Sequence, residues 1–409
     1  MKKIIINGGR VLHGKIRASG SKNAALPIIF ACILTKGVSE IEDLPDIGDV
    51  EVAFDLLRGF GAKISYNNKI AYIDTTDLYF KEPNVDLVSK IRASTYLIGS
   101  CLSRFGRCPL MSFGGCNFAL RPIDMHIDAC LSLGARMNES ELTAERLVGG
   151  EIDFKKASVG ATVNAILLSA CAEGETTIVG AAKEPHIDSL IDFLISCGAD
   201  IKADKHRLKI SGRQLHGGKI RIIGDMIEAG TYLTAGLITN GEVRVENCPT
   251  KDMLSVFDSL SAFGAKICVD DSAATAVIRE KTKSFLVNAT PYPGFPTDLQ
   301  PIMAALMAAN SGGKIIDDVW QTRFGYLGAL SSFGVQYDRF CNCANIYPSN
   351  IRCGKAVAPD LRGGMACLLT ALNAEGQSEI YSAEIILRGY ENLEKKLRAL
   401  GAEVQIKNI

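Results

Sequence analysis

The segment Gly114-Gly115-Cys116-Asn117-Phe118-Ala119-Leu120-Arg121-Pro122 sets a thiol among small residues and follows it with a guanidinium backed by proline. Thiolates are nucleophiles and arginine forks bind phosphate and carboxylate, so this spacing suits a lid that closes a sulfur and an anion clamp over one ligand. A small buried thiol beside glycine is the plain alternative.

Other segments offer related chemistry. Ser19-Gly20-Ser21-Lys22-Asn23 joins a glycine turn to a helix start, where free backbone N–H groups beside a lysine can receive an anion; a solvated lysine near a helix cap would look the same. Arg92, Arg121, Arg323, Arg362 and Arg388 each stand at a turn or helix start beside small or rigid neighbours, as phosphate and carboxylate clamps do and as surface ion pairs also do. Ser158-Val159-Gly160-Ala161-Thr162 opens a small-residue helix suited to phosphate or explained by capping alone. Phe295-Pro296-Thr297-Asp298 places a carboxylate at another helix start, as a functional group or an N-cap.

Composition limits the partners. The 409 residues allow two domains, and 45 basic against 45 acidic side chains leave no bulk attraction to nucleic acid or membrane, so anion binding has to be local. The N-terminal apolar run is too short for a signal peptide and no segment suits a bilayer span, which points to a cytoplasmic protein. Thirteen scattered cysteines without a Cys-x-x-Cys pair, and only five histidines, argue for no metal and no disulfide framework; Cys341-Asn342-Cys343 reads as ordinary thiols in a turn.

The elements that must position these residues repeat. Leu57 to Ile64, Leu131 to Met137, Ile195 to Ile201 and Ser261 to Ile267, with weaker copies at Ser332 to Tyr337 and Ala399 to Val404, recur roughly every seventy residues as helix end, glycine cap and strand entry. Between them lie small-residue apolar stretches that turn into β-branched strands: Ala24 to Ile41, Ala93 to Met111, Val163 to Val179, Gly230 to Val245, Leu299 to Ile316 and Met365 to Ile380. Helices without a continuous polar face belong inside with sheets around them, so the pattern predicts an α/β protein of two domains with three repeated units each. The expected division is 19–229 for one domain and 1–18 plus 230–409 for the other, with the chain crossing twice.

Taken together and in order, Lys22-Asn23, Arg92-Ala93-Ser94, Gly114-Gly115-Cys116 with Arg121-Pro122, Ser158 to Thr162, Asp225 to Thr231, Phe295 to Asp298, Arg323-Phe324, Asp360-Leu361-Arg362 and Arg388-Gly389-Tyr390-Glu391 resemble the UDP-N-acetylglucosamine enolpyruvyl transferases, or 1-carboxyvinyltransferases. The resemblance covers essentially the whole chain. The shikimate-phosphate enolpyruvyl transferases share the fold but not the cysteine loop. It implies the inside-out α/β barrel of the enolpyruvyl transferases, needing no cofactor. It also implies transfer of the enolpyruvyl group of phosphoenolpyruvate to the 3-hydroxyl of UDP-N-acetylglucosamine, with release of phosphate. That is the first committed step of peptidoglycan synthesis, and so of cell wall biogenesis, cell shape and division.

By that resemblance Cys116 is the lid cysteine, whose thiolate a nearby Arg121 would favour and which the epoxide fosfomycin would alkylate. Asp298 is the leading candidate base, and Arg92 a further basic residue of the active site. Lys22, Arg121 and Arg388 match the phosphate cluster for phosphoenolpyruvate, and Arg323, Arg362 and Arg388 its carboxylate side. Asn23 matches a sugar contact; Arg121, Pro122, Ile123, Asp124 and Met125, Ser158, Val159 and Gly160, and Val319 match nucleotide-binding elements.

Three positions depart from the family pattern: Ala119 where a glycine is common, Thr322 where asparagine is usual, and Leu387 where an aspartate usually precedes the arginine. The alternatives are a paralogous enolpyruvyl transferase with another nucleotide or sugar acceptor, and a non-catalytic sensor of the UDP-sugar. Retention of Asn23, Ser158 to Gly160 and Asp298 speaks against the first, and retention of Cys116, Asp298 and Lys22 against the second.

Overall fold

Each of the six repeated glycines takes the left-handed conformation that ends a helix: Gly61, Gly134, Gly198, Gly264, Gly334 and Gly401 have φ of 95°, 89°, 97°, 115°, 87° and 95° in the computed structural model. A residue with a Cβ is strained there, which is why the glycines punctuate the sequence so regularly. The structure describes residues 1–115, 121–204, 207–279 and 281–409. The helices that these glycines close are Gly48–Gly59, Asp124–Ser132, Pro185–Ser196, Leu254–Phe263, Tyr326–Leu330 with its one-turn extension Ser331–Phe333, and Leu393–Ala399.

The chain forms two compact units, Met1–Ser19 with Gly224–Ile409, and Gly20–Gly115 with Arg121–Ile223. In the first, the helices Met226–Ile238, Gln300–Ala309 and Leu361–Asn373 pack against one another, surrounded by three four-stranded sheets. Every residue from Ile227 to Ile238 is buried. The hydroxyls of Thr231 and Thr234 return to the carbonyls of Ile227 and Gly230 at 2.7 and 2.8 Å, so these two threonines are satisfied within the helix. Burying one leucine or isoleucine in such a centre contributes about 2 kcal/mol.

The second unit repeats this plan with inner helices Lys22–Ala31, Leu97–Phe105 and Val159–Ser169. Its hydrophobic core is separate from that of the first unit. Helices inside and sheets outside make each unit an inside-out α/β barrel. Among the described residues no helix is long and apolar enough to cross a membrane.

The N-terminus belongs to the later part of the chain. Lys2–Gly8 lies antiparallel between Gly376–Tyr381 and Glu403–Asn408, and His13–Arg17 runs parallel to Glu242–Glu246 with Ile16 opposite Val245. Ser19, the last residue of this stretch, is locked inside its unit: its N–H donates to Glu228 at 2.9 Å, its hydroxyl donates to Glu391, and Lys396 donates to that hydroxyl at 2.7 Å while pairing with Glu228. The return crossing is at Ile223–Gly224. A boundary at 229/230 falls inside the Met226–Ile238 helix, which Asp225 caps by accepting from the amides of Ile227 and Glu228.

Candidate functional site

In the unit containing Gly224–Ile409, Asp298 lies within the single turn Thr297–Leu299, capped by Pro296 with no side-chain cap bond, so the N-cap explanation of this aspartate does not hold. Its carboxylate faces two guanidiniums instead. Arg323 Nη1 donates to Oδ1 at 2.7 Å, and Arg362 reaches Oδ2 with Nε and Nη2, both at 3.0 Å. Both arginine side chains are 4% exposed and the aspartate 28%. Three N–H groups from the two guanidiniums thus converge on this one carboxylate. Arg362 Nη1, buried, has no hydrogen-bond partner among the described residues and is a donor available to a ligand.

The neighbouring sequence explains why these groups hold still. Asp360 caps the Leu361–Asn373 helix, accepting from Arg362 N at 2.9 Å and Gly363 N at 3.0 Å, which fixes where the Arg362 side chain begins. Its guanidinium rests over the Tyr390 ring, 5.4 Å from the centroid, and the Tyr390 hydroxyl lies 3.0 Å from Thr231 Oγ1. Arg388, two residues before Tyr390, is half-buried and engaged with neighbouring groups despite Leu387 beside it. Val319 N donates to Asp317 Oδ1 at 3.0 Å. Thr322 is exposed in the turn that leads to Arg323.

The other unit carries a cationic group. Lys22 opens the Lys22–Ala31 helix that Ser21 caps, and its Nζ is 3.3 Å from the buried Asp49, so it is not a solvated lysine; Asn23 beside it is half-buried. Arg92 donates to the carbonyl of Arg121 at 2.5 Å. Burial, aided by the charge of Arg121, pushes the Arg92 guanidinium down to about 10. A Cβ on Gly115, whose φ is 119°, would come within 2.4 Å of Arg121 Nη2 and 2.7 Å of Arg92 Cβ. The residues on either side of 116–120 therefore lie against each other, and only glycine fits. Cys116 and Ala119 lie outside the described residues.

Pro122 and Asp124 are exposed and Ile123 and Met125 half-buried at the start of the Asp124–Ser132 helix, while Ser158, Val159 and Gly160 open the Val159–Ser169 helix. Ser158 does cap that helix, accepting from Ala161 N at 3.4 Å. His126 brings the two segments together: a Cβ on Gly160 would lie 2.9 Å from its Cε1, and Asn164 Nδ2 is 2.6 Å from its Nδ1. Burial, reinforced by the charge of Arg92, lowers its pKa from 6.5 to about 4, so it is neutral at pH 7. With Nδ1 accepting from Asn164, the proton sits on Nε2, the nitrogen facing Gly160.

Sequence reasoning gave no role to His126 or Asp317, and Thr297 and Tyr390 entered it only as motif neighbours of Asp298 and Arg388. His126 had a signal, since it directly follows Met125; the others look like ordinary turn and core residues.

Comparison with known proteins shows the family. A family model described as EPSP synthase (3-phosphoshikimate 1-carboxyvinyltransferase) matches residues 6–397. The chain is 39% identical to a UDP-N-acetylglucosamine 1-carboxyvinyltransferase of Prosthecochloris aestuarii, covering 100% of this chain and 99% of that one. It is also 39% identical to the protein of the same name from Halothermothrix orenii, over 99% of each. Among solved structures, the enolpyruvyl transferase NikO from Streptomyces tendae superposes with a TM-score of 0.90 at 26% identity, over 100% of this chain and 99% of that one. An EPSP synthase from Acinetobacter baumannii, at 17% identity and a TM-score of 0.75 over the full length of both chains, shares the fold.

Proposed function

The chain belongs to the UDP-N-acetylglucosamine 1-carboxyvinyltransferases within the EPSP synthase family, and from that membership we propose that it transfers the enolpyruvyl group of phosphoenolpyruvate to the 3-hydroxyl of UDP-N-acetylglucosamine, releasing phosphate. The observation that carries the reading beyond membership is Asp298 on Arg323 and Arg362, a carboxylate held by two buried guanidiniums beside Arg362 Nη1, which has no partner among the described residues. In this reading the reaction takes place in the cytoplasm and commits the sugar to peptidoglycan.

Addition forms a bond from the sugar O3 to C2 of phosphoenolpyruvate while C3 gains a proton. Elimination then removes a proton from C3 and breaks the C2–O bond to phosphate. Asp298 takes the hydroxyl proton, and Cys116 is the acid candidate for C3. The substrate carboxylate competes with Asp298 for the guanidiniums of Arg323 and Arg362, so its arrival loosens the internal ion pairs and leaves Asp298 freer to accept a proton. Lys22, Arg121 and Arg388 neutralise the departing phosphate, because a small trianion is costly to desolvate without cations. Arg92 adds positive charge there. Asn23 contacts the sugar, while Arg121 to Met125, the first-turn amides after Ser158 and Val319 hold the nucleotide.

The test is phosphate release from phosphoenolpyruvate and UDP-N-acetylglucosamine, with Cys116→Ser and Asp298→Ala as controls and mass spectrometry of the Cys116 peptide after fosfomycin. Phosphate that depends on both substrates and both residues, with an alkylated Cys116, is the expected result. Release only with another acceptor would replace this reading by the paralogue, and nucleotide-sugar binding without any release by the sensor.

A further inference from the structure

Asp317 ends the strand Gly313–Asp317, fully buried, and neither the repeats nor the motifs single it out. Its two oxygens face different neighbours. Oδ1 accepts from the amides of Val319 at 3.0 Å and Trp320 at 2.7 Å, so it shapes the turn that presents Val319. Oδ2 accepts from the hydroxyl of Thr297 at 2.6 Å.

The second bond has a fixed direction. A hydroxyl carries one hydrogen, and a carboxylate can only accept, so Thr297 gives its proton to Asp317 and keeps its lone pairs for another donor. That donor is Arg323 Nη1, 3.2 Å away, and the same nitrogen reaches Asp298 at 2.7 Å. The chain from Asp317 through Thr297 to Arg323 therefore leaves the guanidinium one orientation, the one that meets Asp298. Burial works against the charge on Asp317 and raises its carboxyl above the ordinary range, while Thr297, the two amides and Arg323 offset that effect. Hydrogen bonds to charged groups are stronger than neutral ones, so a buried carboxylate orders its neighbours more firmly than an amide can.

We propose that Asp317 is a positioning residue which, through the Thr297 hydroxyl, sets Arg323 on Asp298 with one oxygen and holds the Val319–Trp320 turn with the other. It thereby ties the ion pair at the phosphoenolpyruvate carboxylate to the loop for the nucleotide sugar, an inference that rests on the function proposed above. An aspartate that merely caps a turn is the competing account, and asparagine separates the two. Asparagine caps such turns well, and its carbonyl can stay on the two amides. Its NH2, however, donates toward Thr297, so the hydroxyl hydrogen loses its acceptor and must turn away from Asp317, and the order on Arg323 is lost.

The experiment compares wild type, Asp317→Asn, Thr297→Val, Thr297→Ser and the double variant Asp317→Asn with Thr297→Val. It reads phosphate release, KM for each substrate, and the emission of Trp320, the single tryptophan of the chain. Asp317→Asn is expected to lower kcat/KM for phosphoenolpyruvate about tenfold to hundredfold, the loss of an ordered hydrogen bond to a charged group. KM for UDP-N-acetylglucosamine and Trp320 emission should stay close to wild type, because the turn is retained. Thr297→Val should show the same loss, the double variant no larger loss than either, and Thr297→Ser near-wild-type turnover.

Wild-type kcat/KM in Asp317→Asn, or losses that multiply in the double variant, would overturn the inference and leave the proposed function standing. If Asp317→Asn does not fold, the Thr297 pair decides: wild-type kcat/KM in Thr297→Val overturns it, and loss in the valine with retention in the serine variant supports it. A silent wild type overturns the proposed function, and this inference with it.

Discussion

The two units carry opposite solutions to the handling of charge. In the unit containing Gly224–Ile409, the buried guanidiniums of Arg323 and Arg362 share the internal carboxylate Asp298, and Asp360, Tyr390, Thr297 and Asp317 hold the arrangement in place. In the unit of Gly20–Gly115 and Arg121–Ile223, Arg92 and Arg121 face each other through a backbone carbonyl, and burial and like charge together depress Arg92. In the first, two buried guanidiniums already hold an internal carboxylate. In the second, Arg92 is partly buried beside the like charge of Arg121, an arrangement that a bound anion would offset. Breaking an internal ion pair leaves a buried charge exposed to its own desolvation cost, whereas removing one of two like charges relieves repulsion, so matched substitutions should act in opposite directions.

The largest effect is expected for Asp298→Ala. Losing the proposed base should lower turnover by about a thousandfold, and leaving two buried guanidiniums without Asp298 should lower unfolding free energy by about 3–5 kcal/mol. Denaturant unfolding together with the phosphate assay checks both; unchanged stability would break the comparison, because the guanidiniums would then not depend on Asp298.

His126 sharpens it on the other side. Its folded-state pKa of about 4 lies below the ordinary 6.5, so the protonated form belongs to the unfolded chain. The stability contribution is complete above pH 6.5 and is lost as pH falls toward 4, a change of about 3 kcal/mol for this one group. Unfolding curves from pH 7 to 4 should show that slope in the wild type and a shallower one in His126→Gln; parallel curves would remove His126 from the account.

The smallest effect belongs to Arg121→Gln. Without ligand, stability should change by less than about 0.5 kcal/mol or rise, since Arg92 loses a like-charged neighbour. The rise in Tm on adding phosphoenolpyruvate with UDP-N-acetylglucosamine should disappear. A variant clearly less stable than wild type, with its ligand response intact, would mean that Arg121 is structural and the contrast between the units is mistaken.

Much of the fold was legible before any coordinates. The six glycines after helices and the six small-residue stretches are local signals: a helix end needs a left-handed residue, and a helix surrounded by protein needs no polar face. The ionic residues were visible as types, and Ser158 as a cap, because a cap acts within three residues of itself. The pairing of Asp317 with Thr297 was not visible, since nothing in the types of an aspartate ending a strand and a threonine in a turn marks them as partners.

The sequence alone thus determined the repeat, the inside-out layering, the family and the list of charged residues. Only the tertiary structure decided which of those charges are satisfied. Asp298 meets Arg323 across 25 residues and Arg362 across 64, and His126 meets Asn164 across 38. Contacts over such separations exist only once the helices have packed, because hydrogen bonds and ion pairs act over a few ångströms and the sequence specifies those distances only through the fold that buries its apolar faces.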